Sequence, residues 1–127
     1  MQENAKKKVI IIDDDENLRF VLSDKLKMSG FEVIEAKDGE EGLEQCLKHH
    51  PDIVLLDIMM PIMNGIDMLK RLRQDSWGKT AEVIMLTVLE NAEPIADAME
   101  GGSFTYMIKT KVNADEIAGK VKEILGE

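Results

Sequence analysis

The sequence predicts an α/β fold built on a parallel sheet, and three observations carry that prediction. Val9-Ile10-Ile11-Ile12 runs straight into Asp13-Asp14-Asp15, and Ile53-Val54-Leu55-Leu56 runs straight into Asp57. Continuous apolar runs of this length, rich in β-branched residues, mark strands buried on both faces, as parallel strands are. Such runs alternate along the chain with segments of helical periodicity, the pattern of successive βα units. The carboxyl ends of parallel strands share one edge. Asp13, Asp14 and Asp57 therefore meet there if the two strands are neighbours, and that edge is where open α/β sheets bind ligands.

The elements follow in order. The first strand covers about 8–13 and leads to a helix over 16–29, with Leu18, Val21, Leu22 and Leu26 on one face. Gly30 ends that helix, the usual place for glycine. Phe31 to Ala36 alternates and reads as a shorter strand; Asp38-Gly39 turns the chain into a helix carrying Leu43, Cys46 and Leu47, stopped before Pro51. A third strand, 52–57, precedes a loop from Ile58 to Asn64 and a helix bearing Ile66, Leu69 and Leu72. Val83 to Leu86 makes the fourth strand, a helix with Ile95, Ala96 and Met99 follows, and Phe104 to Lys109 makes the fifth. The last helix carries Ile117, Val121, Ile124 and Leu125. Five βα units imply right-handed crossovers and a sheet covered by helices on both faces. With no repeat, linker or low-complexity tract, residues 1–127 read as one domain with no effector domain.

Charge and composition narrow the function. A formal net charge of -9 argues against binding a phosphate backbone, which needs a basic face, and against docking on anionic lipid. No stretch is long and apolar enough to span a bilayer, and the aspartates after Ile12 arrive too early for a signal peptide. The single cysteine, Cys46, sits beside Leu43 and Leu47 in a helical pattern and reads as a buried, inert thiol. A cytoplasmic setting is expected.

Four separated motifs together resemble a response-regulator receiver domain of two-component signalling, the CheY-like family. Asp13-Asp14 is similar to its acidic pair. Asp57-Ile58-Met59-Met60-Pro61-Ile62-Met63-Asn64-Gly65 is similar to its phosphorylation loop. Thr87 closes the fourth strand where the family has Thr or Ser, and Tyr106 and Lys109 match its aromatic residue and lysine. The resemblance covers nearly the whole chain. It implies a flavodoxin-like (βα)5 doubly wound sheet with strand order 2-1-3-4-5.

The acidic cluster has its own physics. Two carboxylates 4 Å apart repel by about 4 kcal/mol at an effective dielectric of 20, so three of them call for a cation. A hard, oxygen-liganded divalent ion answers that need, and Mg2+ also bridges phosphoryl oxygens. By resemblance, Asp14 and Asp57 bind it directly with the backbone carbonyl of Met59, while Asp13 holds a metal-bound water. The same resemblance makes Asp57 the phosphoacceptor, and Lys109 a charge partner of the transferred group. Thr87 is expected to turn its hydroxyl to that group, letting Tyr106 swing inward as the switch. Asp15 opens the first helix and reads as its cap.

Some residues depart from the family's pattern. Thr110 stands where proline is usual after the lysine, and Val88 where a small residue is usual. By the same resemblance, Met59 and Leu89, two residues past Asp57 and Thr87, are expected to flank the path of a hydrolysing water. Neither side chain can hold one by hydrogen bonding, so slow self-dephosphorylation is expected. His49-His50 read as surface residues at a helix end, Met59, Met60 and Met63 as loop and core packing, and Trp77 as a cover for a helix edge.

The leading expectation is a receiver that accepts a phosphoryl group from a sensor histidine kinase or phosphotransfer protein and then contacts a downstream target protein. It is a signalling domain, not an enzyme beyond its own phosphorylation and dephosphorylation. The resemblance offers the face of the fourth helix, fifth strand and fifth helix for output or a homodimer; Asp97, Glu100, Glu116 and Lys120 there do not assign one. Phe20 on the first helix is a kinase-docking residue by the same resemblance. One alternative is a binding module that works without phosphorylation. Another is a haloacid-dehalogenase-type phosphatase with Asp13 as nucleophile and Asp15 as acid, although Glu16-Asn17 does not continue that motif. Flavin binding would need a phosphate loop where Asp13-Asp14-Asp15 would repel phosphate.

Overall fold

The computed structural model describes residues 6–88 and 104–127. Five strands form one fully parallel sheet: β1 (Lys8–Ile12), β2 (Glu32–Ala36), β3 (Ile53–Leu56), β4 (Val83–Thr87) and β5 (Thr105–Ile108), in the order β2-β1-β3-β4-β5. The described helices are α1 (Glu16–Met28), α2 (Gly39–His49), α3 (Gly65–Gln74) and the C-terminal α4 (Ala114–Leu125). This is the flavodoxin-like arrangement that the sequence led us to expect. The helix expected around Ile95, Ala96 and Met99 lies outside the described residues, as do Leu89, Asp97 and Glu100.

Side-chain alternation explains why the apolar runs are unbroken. Ile10, Ile12, Val54, Leu56, Val83 and Met85 face one core, closed by Cys46 of α2 and Met68, Leu69 and Leu72 of α3. Their chain neighbours Val9, Ile11, Ile53, Leu55, Ile84 and Leu86 face the other, closed by Leu22 and Leu26 of α1 and Ile117, Ala118 and Val121 of α4. Each central strand must be apolar at every position because both of its faces are covered. Truncating such a residue to Ala costs about 2–5 kcal/mol. Cys46 is fully buried, and desolvation pushes its thiol pKa up to about 12. The expected helix faces reach further than the buried stripe: Val21 and Leu47 remain partly exposed.

Four strands are shorter than expected by a residue at one or both ends, and β1 and β3 stop just before an aspartate. Asp13 still donates its N–H to Ala36 O (3.1 Å), but its Oδ1 accepts from Asp15 N (2.9 Å) and turns the chain. Asp57 donates its N–H to Ile12 O (3.0 Å) and likewise ends β3. Helix starts are capped by side chains: Asp15 for α1, Asp38 for α2, Asn64 for α3, and an Asn113–Glu116 capping box for α4. Gly30, at φ +97°, takes the left-handed conformation just beyond α1.

The loop after β3 contains a β-branched residue at positive φ. Met63 N donates to Pro61 O (2.7 Å), closing a three-residue turn about Ile62, whose φ is +68°. A β-branched residue there crowds its own backbone. Met63 O in turn accepts from Gly39 N (3.1 Å), tying the loop to α2. The Ile62 side chain is 75% exposed, so no packing offsets the strain. Ile62→Asn is expected to stabilise the fold by about 1 kcal/mol, because Asn tolerates this conformation. A denaturant midpoint no higher than that of the parent protein contradicts this account.

Candidate functional site

Sheet register builds the site. Ile12 pairs with both Ala36 and Leu56, and Thr87 with Ile108, so the residues that follow β1, β3 and β5 emerge together at the carboxyl edge. Asp13, Asp14 and Asp57 each bring a carboxylate oxygen within 4.8 Å of the others. Asp13 and Asp57 are buried, while Asp14 is exposed. Lys109 follows β5 and lays its ammonium between the two buried carboxylates, 2.5 Å from Asp13 Oδ2 and 3.1 Å from Asp57 Oδ2. Met59 N donates weakly to Asp57 Oδ1 (3.4 Å).

Close backbone approach keeps Asp57 in place. Gly65, the first residue of α3, donates its N–H to Ile58 O (2.8 Å), and a Cβ there would collide with the Asp57 carbonyl oxygen. Only glycine lets α3 begin this near the end of β3. The 3₁₀ turn Lys109–Lys111 follows β5 directly, with Thr110 inside it, and no peptide bond among the described residues is cis. Threonine in place of the usual proline thus leaves Lys109 in reach of both aspartates.

The electrostatics are unbalanced. Burial raises the pKa of Asp57, and the neighbouring Asp13 raises it further against the opposing pull of Lys109. Burial lowers the Lys109 pKa, but the hydrogen bonds and charges of Asp13 and Asp57 outweigh it and leave the ammonium above its ordinary value. One ammonium against three carboxylates leaves a formal deficit of two positive charges. An all-oxygen donor set with that deficit suits a hard divalent cation such as Mg2+.

Thr87 is fully buried at the end of β4, and Tyr106 is half-buried on β5, opposite Met85 and packed on the α2–α3 side of the sheet. Asp15 accepts from Asn17 N (3.0 Å) and Leu18 N (3.2 Å) as the expected cap. Both side-chain oxygens of Asp13 are engaged, by Asp15 N and by Lys109. Phe20 is 71% exposed, and Met59 and Val88 are about half exposed.

Two features escaped the sequence reading. Arg19 reaches back from α1 to the main chain of Asp13 (2.6 Å); its only signal was a lone cation among Leu18, Phe20 and Val21. Trp77 does cover a helix end, but it does so by stacking on His50, with ring centroids 4.6 Å apart. His50 is itself the left-handed cap of α2.

A parallel five-stranded sheet with a half-buried lysine among aspartates at its carboxyl edge is the architecture found here. The family model described as response regulator receiver domain matches residues 9–122. The chain belongs to that family: it is a response-regulator receiver domain of two-component systems. It is 40% identical over 118 residues to the transcriptional regulatory protein CpxR of Escherichia coli, covering 93% of this chain and 49% of CpxR. It is 35% identical over 119 residues to the alkaline phosphatase synthesis transcriptional regulatory protein PhoP of Bacillus subtilis, covering 94% of this chain and 48% of PhoP. The chain thus spans about half the length of the curated relatives it matches. Among solved structures, chemotaxis protein CheY4 of Vibrio cholerae superposes with a TM-score of 0.84 at 28% identity, over 94% of this chain and 99% of that one. Response regulator TrrA of Thermotoga maritima, solved with Mg2+ and BeF, gives 0.79 at 31%, over 93% and 98%. No helix among the described residues is long and apolar enough to cross a membrane.

The raised Asp57 pKa has a stability consequence. Ionised Asp57 is less favourable folded than unfolded, so its penalty is absent below pH 3.8 and grows as pH rises through the raised value. Without divalent ions at pH 7, Asp57→Asn is expected to raise Tm. The gain is expected to vanish near pH 3, and a Tm equal to or below the parent's at pH 7 contradicts it.

Proposed function

We propose that Asp57 is the phosphoacceptor of this receiver domain. The donor is a phosphohistidine of a sensor histidine kinase or phosphotransfer protein. The observation that supports this most is the pairing of buried Asp57 with the Lys109 ammonium at 3.1 Å, beside two further carboxylates. A carboxylate oxygen of Asp57 attacks phosphorus, the phosphorus–nitrogen bond of the donor breaks, and the imidazole leaves with its electron pair and takes a proton. Lys109 stays against the oxygens that gain charge, and its position is preset by Asp13. Mg2+, held by Asp14, Asp57 and the Met59 carbonyl with a water on Asp13, would supply the remaining positive charge.

Thr87 and Tyr106 read the modification out. The Thr87 hydroxyl donates to a phosphoryl oxygen once Asp57 is modified, a charge-assisted bond that the unmodified state lacks. Its rotation vacates volume for the half-buried Tyr106 ring, altering the β5 side of the surface. The output is contact with a downstream target protein. The 127 residues act as one receiver unit, in a cytoplasmic setting, and no step requires nucleic acid or a membrane.

Intact-mass spectrometry after incubation with acetyl phosphate and Mg2+ tests the assignment. One phosphoryl adduct is expected on the parent protein and none on Asp57→Ala or without Mg2+. An adduct that persists in Asp57→Ala overturns the acceptor assignment. No adduct on folded, Mg2+-bound parent protein favours a binding module that works without phosphorylation.

Met59 is the half-exposed neighbour two residues past Asp57 and offers an incoming water no hydrogen bond. Met59→Asn is expected to speed decay of the phosphorylated protein by roughly threefold to tenfold, well below the effect of a positioned general base. Unchanged decay, including in the double variant with Leu89→Asn, contradicts the slow-hydrolysis expectation.

A further inference from the structure

We propose that Arg19 is a positioning residue for the acidic site, acting on Asp14 through the main chain of Asp13. The proposal rests on reading Asp13, Asp14 and Asp57 as a divalent-cation site. Arg19 lies one turn into α1 and is only 15% exposed. Its Nη1 donates to Asp13 O at 2.6 Å, and its Nε donates to Glu35 Oε1 at 3.3 Å. One guanidinium therefore ties the first helix to the ends of both β1 and β2. Its planar fork holds donors on separate nitrogens in a fixed relative geometry, which the single nitrogen of an ammonium does not.

What that bond controls follows from covalent geometry. Asp13 O belongs to the planar peptide that carries the Asp14 N–H, so holding the oxygen fixes the plane from which Asp14 departs. The rest of Asp13 is pinned independently: N–H to Ala36 O, Oδ1 to Asp15 N, Oδ2 to Lys109. Asp14 is different. Its side chain is exposed, so packing does not orient it, and the one carboxylate of the cluster open to solvent takes its direction from the peptide that Arg19 holds. Glu35, on the far side of Arg19, offsets the guanidinium charge, so the positioning bond adds little repulsion towards a cation at the edge.

Coulomb's law and positioning predict opposite signs, which makes the proposal testable. Removing a cation from beside an acidic site would by itself strengthen Mg2+ binding. Loss of positioning weakens it. The measurement is a Mg2+ titration followed by amide chemical shifts, with Tm recorded alongside, on the parent protein, Arg19→Lys and Arg19→Gln. Mg2+ affinity is expected to fall about tenfold in Arg19→Gln, the low end for residues that orient a metal ligand, and about twofold to threefold in Arg19→Lys. Affinity in folded Arg19→Gln equal to or tighter than the parent's overturns the proposal while leaving the cation site standing. A lowered Tm with unchanged affinity also overturns it, since it marks a role in folding alone. If Arg19→Gln does not fold, Arg19→Lys decides by the same comparison. A parent protein that binds no Mg2+ overturns both the cation site and the proposal.

Discussion

The rest of this structure is arranged around the repulsion among three carboxylates at one sheet edge. Asp13 and Asp57 are buried, where two like charges are costly unless a counter-charge is close. Lys109 provides that counter-charge by bridging both. The arrangement leaves Asp57 hard to ionise and the cluster short of positive charge. A site in this condition gains from any ligand that brings positive charge.

Holding like charges together demands a rigid frame, and the frame is made of short, specific contacts. The Asp57 N–H enters the ladder to Ile12, Gly65 lets α3 start against the Asp57 carbonyl, and Arg19 holds the carbonyl of Asp13. Four helix starts are closed by Asp or Asn side chains, so the loops carrying the site are short and committed. Strain is admitted at Ile62, in the exposed loop just after the site and away from the buried charges. The buried edge is stiff, and the strain sits where solvent can accommodate it.

Much of this was legible from residue order. The apolar runs named the central strands because a strand covered on both faces has no polar position, and the aspartates that end those runs named the edge. Asp15 as a cap and Gly30 as a helix stop were readable because local backbone chemistry alone decides them. The ends of β1 and β3 were misjudged by a residue because Asp13 and Asp57 accept side-chain bonds from the following turn that residue type alone does not reveal. Arg19 was passed over because nothing in Leu18-Arg19-Phe20-Val21 tells which way a long side chain folds back. The strand order 2-1-3-4-5 came from the resemblance to a known family and not from any period in the chain.

Local properties of the chain, then, settled the elements, their order and the chemical character of the edge, because periodicity, caps and breakers act over a few residues. Long-range packing settled which groups touch. Asp57 and Lys109 are 52 residues apart in the chain and 3.1 Å apart in space, brought together by parallel register across β3, β4 and β5. Their altered ionisation follows from burial and from a neighbour's charge, which exist only once the sheet is assembled and both cores are closed.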